Sequence, residues 1–388
     1  MLKTLITWAV VLLFVVRPAM SQERRSFSER FVYGGEVTGN FSPVDHGYFN
    51  ELEYERNLLR LIRVNFALEF QASDHVAILT EIRSENFDVP EPYALYVRLR
   101  PWSDRAFDIQ VGLIPPVFGA FARRRYDIDN PLIGNPLTYQ YPNTIRSDAA
   151  PTDLSQVLAQ RGRGVKVVYP IGDQEPLAGL PMVNPLQWDT GVQVLLGRDP
   201  VELAVAVTQG TISNPRVRDD NSGKQLAARL GLRPAFGWVL GVSGARGEYV
   251  ADGVTSITGD SGHQTAFGLD LEFAQDHFLL RAETIWSQWD APTLETGALG
   301  GLGFYVEASY KISPGFYVAA RIDRVSFGEV DSADGSIAWD SSISRIEVGG
   351  GYYFHRQLLA KASYQYNERD AGRLTTRGIP VMQLLFWF

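Results

Sequence analysis

The last stretch of the sequence, residues 378–388, constrains the fold most strongly. It reads Gly-Ile-Pro-Val-Met-Gln-Leu-Leu-Phe-Trp-Phe, and at a period of two one row carries Pro380, Met382, Leu384, Phe386 and Phe388. A strand with such an apolar row is an aggregation template if it stays at the open edge of a sheet. Pairing with the first strand removes that edge and closes a barrel, whose outer row then faces lipid. The alternative is the buried C-terminal strand of a soluble β-sandwich.

The start of the chain indicates export. Lys3 is followed by an apolar run from Leu5 to Val16, and small residues surround a cleavage position after Ser21. This pattern is typical of a secretory signal peptide, because the apolar run is too short for a comfortable transmembrane helix. We therefore predict a signal peptide over residues 1–21 and a single β-barrel over residues 22–388. The alternative is an uncleaved N-terminal anchor.

Charge and cysteine content exclude several classes of protein. Removal of residues 1–21 takes away Lys3 and Arg17 and no acid, so 36 basic residues become 34 against 44 acidic ones, a formal charge of −10. A chain this acidic has no basic face to neutralise phosphates, so we expect no nucleic-acid partner. Cysteine is absent, which excludes a disulfide framework and a thiolate metal site.

The rest of the chain is a succession of alternating segments of roughly ten residues separated by turn residues. In a typical segment Ile62, Val64 and Phe66 form one face while Arg63 and Glu69 form the other. A barrel in lipid explains charged residues that repeatedly occupy the inner row, together with aromatic residues such as Tyr93 near the ends of outer rows. The predicted lumen wall comprises Arg63, Glu69, Glu81, Arg98, Arg100, Asp108, Arg229, Arg281, Glu283, Glu307 and Arg321.

The strand count is ambiguous from the sequence. We identify seventeen candidate segments, an odd number that an up-and-down barrel with both termini on one side forbids. Either residues 177–184 hide a weak strand, which gives eighteen, or residues 161–170 belong to a loop, which gives sixteen. The alternation of Val165, Val167 and Tyr169 favours eighteen. The predicted fold is therefore all-β: a transmembrane antiparallel up-and-down barrel of 16 to 18 strands, with short periplasmic turns and long extracellular loops.

One insertion differs from the other connections. Residues 115–160 are too long for a simple loop and too apolar for disorder, so we predict that they fold into the lumen. Cationic and anionic groups facing each other at a narrow point would orient and filter polar solutes. The predicted constriction comprises Phe118, Arg123, Arg124, Arg125, Asp127 and Asp129. The alternative is a loop held on the extracellular face by its own salt bridges.

Catalytic and metal-binding patterns are weak. The histidines are isolated, and Gly241–Ala245 lacks the last glycine of a nucleophile elbow. Asp127–Asn130 resembles the start of a calcium loop but lacks the glycine and the distal glutamate. We therefore expect no catalytic residues, no metal, no cofactor and no enzymatic activity.

The signal peptide, the rhythm of strands and turns, the long insertion after the fifth strand and the terminal Phe388 together resemble bacterial outer-membrane porin-like proteins. The resemblance implies a layout similar to general-diffusion or phosphate-selective porins, location in the bacterial outer membrane, and Phe388 as a signal read by the barrel-assembly machinery. General porins commonly fold such a loop inward, which here implicates Phe118–Asn130, and associate as homotrimers. Phosphate-selective porins rely on a dense ladder of arginine and lysine, whereas this mature chain has four lysines and interleaved acids.

These features favour passive diffusion of small hydrophilic solutes through a water-filled lumen narrowed by the inward loop. The expected partners are outer-membrane lipid, the assembly machinery, the solutes and, for the trimer, further copies of the chain. Two alternatives stay open: a plugged barrel that serves as a receptor, adhesin or envelope anchor, and an outer-membrane hydrolase. The sequence leaves the solute and the ion selectivity open.

Overall fold

A computed structural model describes residues 28–45, 49–50, 59–102, 106–120, 124, 126–184, 188–291, 293–295, 297–332, 335–370 and 377–388. The predicted signal peptide lies outside these residues. β-Strands are the dominant secondary structure of the described residues, as the alternation of apolar and polar residues predicts.

Sixteen antiparallel strands form a closed barrel in which each strand pairs with its neighbours in chain order. The first ten strands of the chain, of which β6 and β7 lie outside the barrel, are β1 (Phe31–Phe41), β2 (Leu59–Ser73), β3 (Val76–Glu85), β4 (Glu91–Leu99), β5 (Ala106–Ile114), β6 (Ala149–Ala150), β7 (Ile171–Gly172), β8 (Asp189–Arg198), β9 (Val201–Thr208) and β10 (Gln225–Leu232).

The remaining ten strands include one hairpin, β16 and β17, that also lies outside the barrel. They are β11 (Trp238–Glu248), β12 (His263–Gln275), β13 (Phe278–Asp290), β14 (Ala298–Ser313), β15 (Phe316–Phe327), β16 (Glu329–Ser332), β17 (Gly335–Ala338), β18 (Ile343–His355), β19 (Leu358–Arg369) and β20 (Gly378–Trp387).

Pairing of the first and last strands closes the barrel, as the final stretch of the sequence predicts. Glu36–Phe41 of β1 pair with Met382–Trp387 of β20. Beyond the strand, Phe388 and Gly35 exchange two backbone hydrogen bonds of 3.1 Å. The apolar row of β20 points outward, with Met382 60% exposed, because no protein covers it. An outer surface of this kind satisfies the requirements of lipid.

The predicted antiparallel barrel of 16 to 18 strands is confirmed with sixteen strands, and only the preference for eighteen is wrong. Residues 161–170 and 177–184 belong to the connection between β5 and β8, which we call the insertion (residues 115–188). Val167 and Leu177 are joined by an isolated β-bridge, and Val167 and Tyr169 are buried in a small cluster with Ala149. The alternation that suggested a barrel strand arises because one side of this short segment packs against the rest of the insertion.

The inner and outer rows largely follow the predicted faces, but Tyr93 does not. Tyr93 was expected in the outer row, but it is 7% exposed and its ring lies 5.3 Å from that of Trp188 and 3.5 Å below the Arg83 guanidinium. The register between β3 and β4 shifts between Glu81 and Ile82. Such a bulge turns the following side chain to the other face of the sheet.

Short connections and generally longer ones alternate around the barrel and define two rims. The short-turn rim carries connections such as residues 74–75, 199–200 and 276–277, and the long-loop rim carries the insertion and residues 209–224 and 328–342. The described residues contain three α-helices, α1 (Leu137–Gln140) and α2 (Leu154–Ala159) in the insertion and α3 (Asp252–Thr258) on the long-loop rim. Among the described residues no helix is long and apolar enough to cross a membrane.

Candidate functional site in the barrel lumen

The insertion leaves β5 and runs immediately into the lumen, along the opposite wall. Phe118 is 1% exposed and packs against Gly268 of β12, where an added Cβ would lie 3.2 Å from the ring. The Gly119 N–H donates to Ser243 Oγ of β11 at 3.0 Å, and the Ala120 N–H donates to Glu283 Oε1 of β13 at 2.8 Å. The first part of the constriction is therefore fixed to the wall by packing and by two hydrogen bonds.

Arg124 is buried against the wall. Its guanidinium donates to Glu307 Oε1 at 2.6 Å and to the Tyr305 hydroxyl at 2.7 Å, both on β14. Glu307 also lies 3.3 Å from Arg321 of β15, which in turn contacts Glu347 of β18 at 2.7 Å. Because charged hydrogen bonds are strong and a lone buried charge is costly, this lattice fixes the insertion to three strands.

The chain then crosses to the other side of the lumen. The Tyr126 hydroxyl donates to Glu81 Oε2 of β3 at 2.9 Å. The backbone N–H groups of Asp127 and Ile128 donate to the Glu36 carboxylate of β1 at 3.2 and 3.0 Å. Within three residues the constriction thus passes from contacts with β14 to contacts with β3 and β1, so it bridges the barrel interior.

A second set of contacts returns the insertion to the wall of β13, β15 and β19. The buried Lys361 ammonium of β19 donates to the backbone oxygens of Asp127 and Asn130 at 2.6 and 2.7 Å. Tyr317 of β15 donates to Pro131 O at 3.0 Å, and Arg281 of β13 donates to Asp129 O at 3.2 Å. The conformation of Asp127–Asn130 is therefore set by wall side chains that donate hydrogen bonds to its backbone oxygens.

Of the predicted constriction residues, the structure describes Phe118, Arg124, Asp127 and Asp129. Arg123 and Arg125 lie outside the described residues. Arg124 pairs with a wall glutamate, whereas Asp127 lies 3.6 Å from Arg63 of β2 and Asp129 is exposed. Sequence reasoning missed Glu36, Tyr126 and Lys361 as anchors. The signal for Lys361 was its alternation with Ala360 and Ala362, which places it in a predicted inner row where a buried ammonium needs oxygen partners.

The other predicted wall charges form ion pairs. Arg98 lies 2.7 Å from Glu69, and Arg100 binds Asp108 through two hydrogen bonds of 2.7 and 2.9 Å. Most of these pairs join neighbouring strands, so they brace the wall and cancel charge locally. The further pairs are Arg63–Glu85 at 2.7 Å, Arg229–Asp270 at 2.5 Å and Arg281–Glu272 at 2.8 Å.

Apolar clusters occupy part of the lumen beside the constriction. One contains Phe118, Tyr139 and Met182 of the insertion together with Ile285 and Trp289 of β13. The Tyr139 hydroxyl donates to Glu283 Oε2 at 2.8 Å, which accounts for the second oxygen of that predicted wall residue. A second cluster surrounds Trp188 on the wall of β4, β5 and β9. The described part of the insertion is therefore an internally packed unit.

The later part of the insertion is tied to the long loops. Asp340, which follows the hairpin of β16 and β17, accepts from the N–H groups of Thr144 and Gly162 at 2.8 and 2.9 Å. The neighbouring Trp339 is buried against Phe327. Burial raises the pKa of the Asp340 carboxyl to about 6, against the opposing effect of its hydrogen bonds. We call this assembly of Thr144, Gly162 and Asp340 the lid anchor.

Between the start of the insertion and the short-turn rim lies a cavity of about 440 Å³, which we call the alcove. Pro115, Pro116 and Val117 at the start of the insertion cover the alcove on the side away from the short-turn rim, which we call its upper side. Residues of β5 and β8–β10 form its walls. Within the described residues no group of three or more His, Asp or Glu side chains is placed to hold a metal ion.

Together, the closed barrel, the alternating rows and the inward insertion define a porin-like β-barrel fold. No protein-family model matches the chain, and no curated protein matches it.

Solved structures with the same fold include OmpF of Salmonella typhi in complex with daunomycin, 11% identical, with a TM-score of 0.57 over 92% of this chain and 97% of that chain. A loop L8 deletion mutant of OmpT, an outer membrane protein of Vibrio cholerae, is 9% identical, with a TM-score of 0.57 over 92% and 99%. A porin refined at 1.8 Å is 10% identical, with a TM-score of 0.52 over 92% and 100%. At these identities the likeness concerns the fold.

Proposed function

We propose that the protein is a bacterial outer-membrane porin through which small hydrophilic solutes diffuse passively. The observation that supports this most is the constriction Phe118–Asn130, which spans the lumen with anchors on β14, β3 and β1. It narrows a barrel whose sixteen strands otherwise leave an interior too wide for wall side chains alone to fill. The polar, ion-paired wall of β2–β5 offers hydrogen-bonding groups to hydrophilic solutes that pass beside it.

Three features support the outer-membrane location. The outer rows of the strands are apolar and exposed, aromatic residues such as Phe273 and Phe316 stand at the short-turn rim, and similar barrels are outer-membrane proteins. The signal peptide over residues 1–21 and recognition of Phe388 by the assembly machinery belong to the same proposal. Replacement of Phe388 by Ala should lower the amount of folded barrel in the outer membrane and leave the exported amount unchanged.

Swelling of proteoliposomes tests the diffusion proposal. Liposomes that contain the folded mature protein are diluted into isotonic solutions of neutral sugars of increasing size. A porin of this kind gives swelling rates that fall steeply with sugar size, because the constriction sets the passage. Liposomes with heat-unfolded protein are the control. Swelling that is equal for all sugars would mean a wide pore without the constriction.

The predicted role of the arginines in filtering is tested separately. In the variant with Arg123, Arg124 and Arg125 replaced by Ala, we expect a changed reversal potential in a salt gradient. An unchanged reversal potential with open current would leave the pore intact and move the filter elsewhere in the lumen.

A plugged barrel that serves as a receptor, adhesin or anchor is the second candidate. The observation that favours it is the apolar packing of Phe118, Tyr139 and Met182 inside the lumen. A plugged barrel gives no sugar-dependent swelling although it is folded. We propose further that the protein has no enzymatic activity, since the His75 and His263 rings lie 2.8 Å from Arg100 O and 3.7 Å from Asp290, and within the described residues no serine or threonine hydroxyl is hydrogen-bonded to either ring. Ester and peptide hydrolysis above background would contradict this.

We also propose that the barrels associate as a homotrimer. Ala360 and Ala362 give the outer row of β19 a flat surface suited to close packing. Trimers of OmpT of Vibrio cholerae are known in an in-vitro folded form. Light scattering of the detergent-corrected mass distinguishes a trimer from a monomer.

A further inference from the structure

We propose that the alcove binds zwitterionic solutes that carry an apolar ring. Its use in transport rests on the proposed porin function, but binding itself does not. The alcove lies between the start of the insertion and the wall of β5 and β8–β10, on the side of the short-turn rim. Its volume of about 440 Å³ is within the range that small-molecule sites occupy.

The upper side of the alcove is apolar and rigid. It is formed by Pro115, Pro116 and Val117, which have few conformations to lose when a ring lies against them. Leu195 of β8 and Ala204 of β9 face the same space from the wall. Val117 is 8% exposed, so it is held in place by the packing behind it. A planar ring that enters between these surfaces is removed from water on both faces.

The rest of the lining carries both signs of charge. Arg100 and Asp108 stand on the side of β4 and β5, with the Arg100 side chain 42% exposed, and Glu202 and Arg229 stand on the side of β9 and β10. Each charge already has a partner: Arg100 with Asp108, Arg233 with Glu202, and Arg229 with Asp270. The alcove therefore has no strong net field.

A solute with net charge meets a like charge as close as an opposite one in such a lining. A zwitterion avoids this conflict, because its ammonium and carboxylate can lie antiparallel to a wall ion pair. The combination of paired charges with an apolar ceiling therefore selects solutes with zero net charge, two charged groups and a ring, and disfavours simple ions and purely hydrophilic molecules.

Equilibrium binding to the folded barrel in detergent tests this by calorimetry, with L-phenylalanine as the probe. L-Serine, which has the charges without the ring, and 3-phenylpropionate, which has the ring with a net charge, are the comparison ligands. We expect measurable binding of phenylalanine and weaker binding of both others. The variant Leu195→Gln should weaken phenylalanine binding roughly fivefold, the factor expected for about 40 Å² of apolar surface returned to water.

Val239→Gln is the matched control, since Val239 faces the lumen from β11 outside the alcove. It should bind phenylalanine like the original protein. Ala204→Trp, which fills the cavity, should abolish binding if it folds, as judged by retained heat-modifiable migration on gels. Equal binding of all three ligands, no binding of phenylalanine, or equal affinities of the Leu195→Gln and original proteins would each overturn the inference. Because binding is measured without conduction, a barrel that binds phenylalanine but passes no sugar would refute the diffusion proposal alone.

Discussion

Removal of the Arg124 guanidinium should release the constriction from the wall. The change Arg124→Met keeps most of the apolar stem and deletes the contacts of 2.6 Å with Glu307 and 2.7 Å with Tyr305. Loss of one partner of a buried ion pair costs about 3–5 kcal/mol. Glu307 keeps Arg321 at 3.3 Å and Arg281 at 3.7 Å, so the lower end of that range applies.

A loss of about 3 kcal/mol raises the population of the displaced segment on the order of a hundredfold, since about 1.4 kcal/mol corresponds to a factor of ten. Cleavage by chymotrypsin after Tyr126 reports this population when opening and closing are fast relative to cleavage. We therefore expect cleavage of the Arg124→Met barrel to be about that much faster. The matched control is Arg100→Met, which breaks a wall pair with Asp108 that does not touch the constriction.

Cleavage rates in Arg124→Met within threefold of the original would refute the reasoning, because the pair would then contribute little to holding the segment. Equal acceleration in Arg100→Met would show that any loss of a wall arginine loosens the barrel as a whole. The assay needs no conduction, so its result is independent of the proposed function.

Three further predictions concern charge, pH and closure. Arg100→Gln should shift the reversal potential toward cation preference, and Asp108→Asn should shift it toward anion preference. The double variant should stay close to the original protein, because the Arg100–Asp108 pair cancels its own charge. A double variant whose reversal potential differs clearly from that of the original protein would contradict this local cancellation. Burial raises the pKa of the Asp340 carboxyl from 3.8 to about 6, so the folded state holds this proton more tightly than the unfolded state does. The lid anchor should therefore lose stability as the pH rises from about 4 to 6 and change little above pH 6. Resistance of the insertion to chymotrypsin measures this stability, and its dependence on pH should flatten in Asp340→Asn. Gly35→Val should slow refolding and lower the melting temperature, because a Cβ at position 35 would lie 2.6 Å from the Phe388 ring and 2.7 Å from Asn65 O. An unchanged melting temperature would show that the pairing of β1 with β20 accommodates the added side chain.

The barrel itself follows from the alternation of residues. In a wall that faces lipid on one side and water or polar protein on the other, a charged residue has a single acceptable face, so rows such as Arg63 and Glu69 set the register. The closing strand was also predictable, because an apolar row like that of Met382 and Leu384 cannot stay at an open edge.

Alternation fails where packing inside the lumen imitates it. Val167 and Tyr169 alternate because one face of a short segment is covered by the insertion, and no local pattern separates that from a lipid-facing strand. Tyr93 depends on a one-residue bulge opposite Glu81, which leaves no mark in the sequence.

The length and composition of the insertion indicated where the constriction lies in the sequence. They did not indicate which wall residues bind it. Arg124 and Asp127 are close in sequence, yet their partners Glu307 and Glu36 lie more than 90 residues away along the chain. Lys361 donates to backbone oxygens, and because every residue has a backbone oxygen, the sequence does not show which residues accept. Which wall residue meets the insertion depends on the path it takes across the barrel, and that path is set by many contacts at once.

We expect the constriction to narrow an open lumen without sealing it. Single-channel recording of the refolded mature protein in a planar bilayer tests this most directly. We expect steady current steps proportional to voltage, and small steps for a sixteen-stranded barrel because the constriction Phe118–Asn130 crosses the interior. No current from protein that is demonstrably folded and inserted would contradict it and establish the plugged barrel instead.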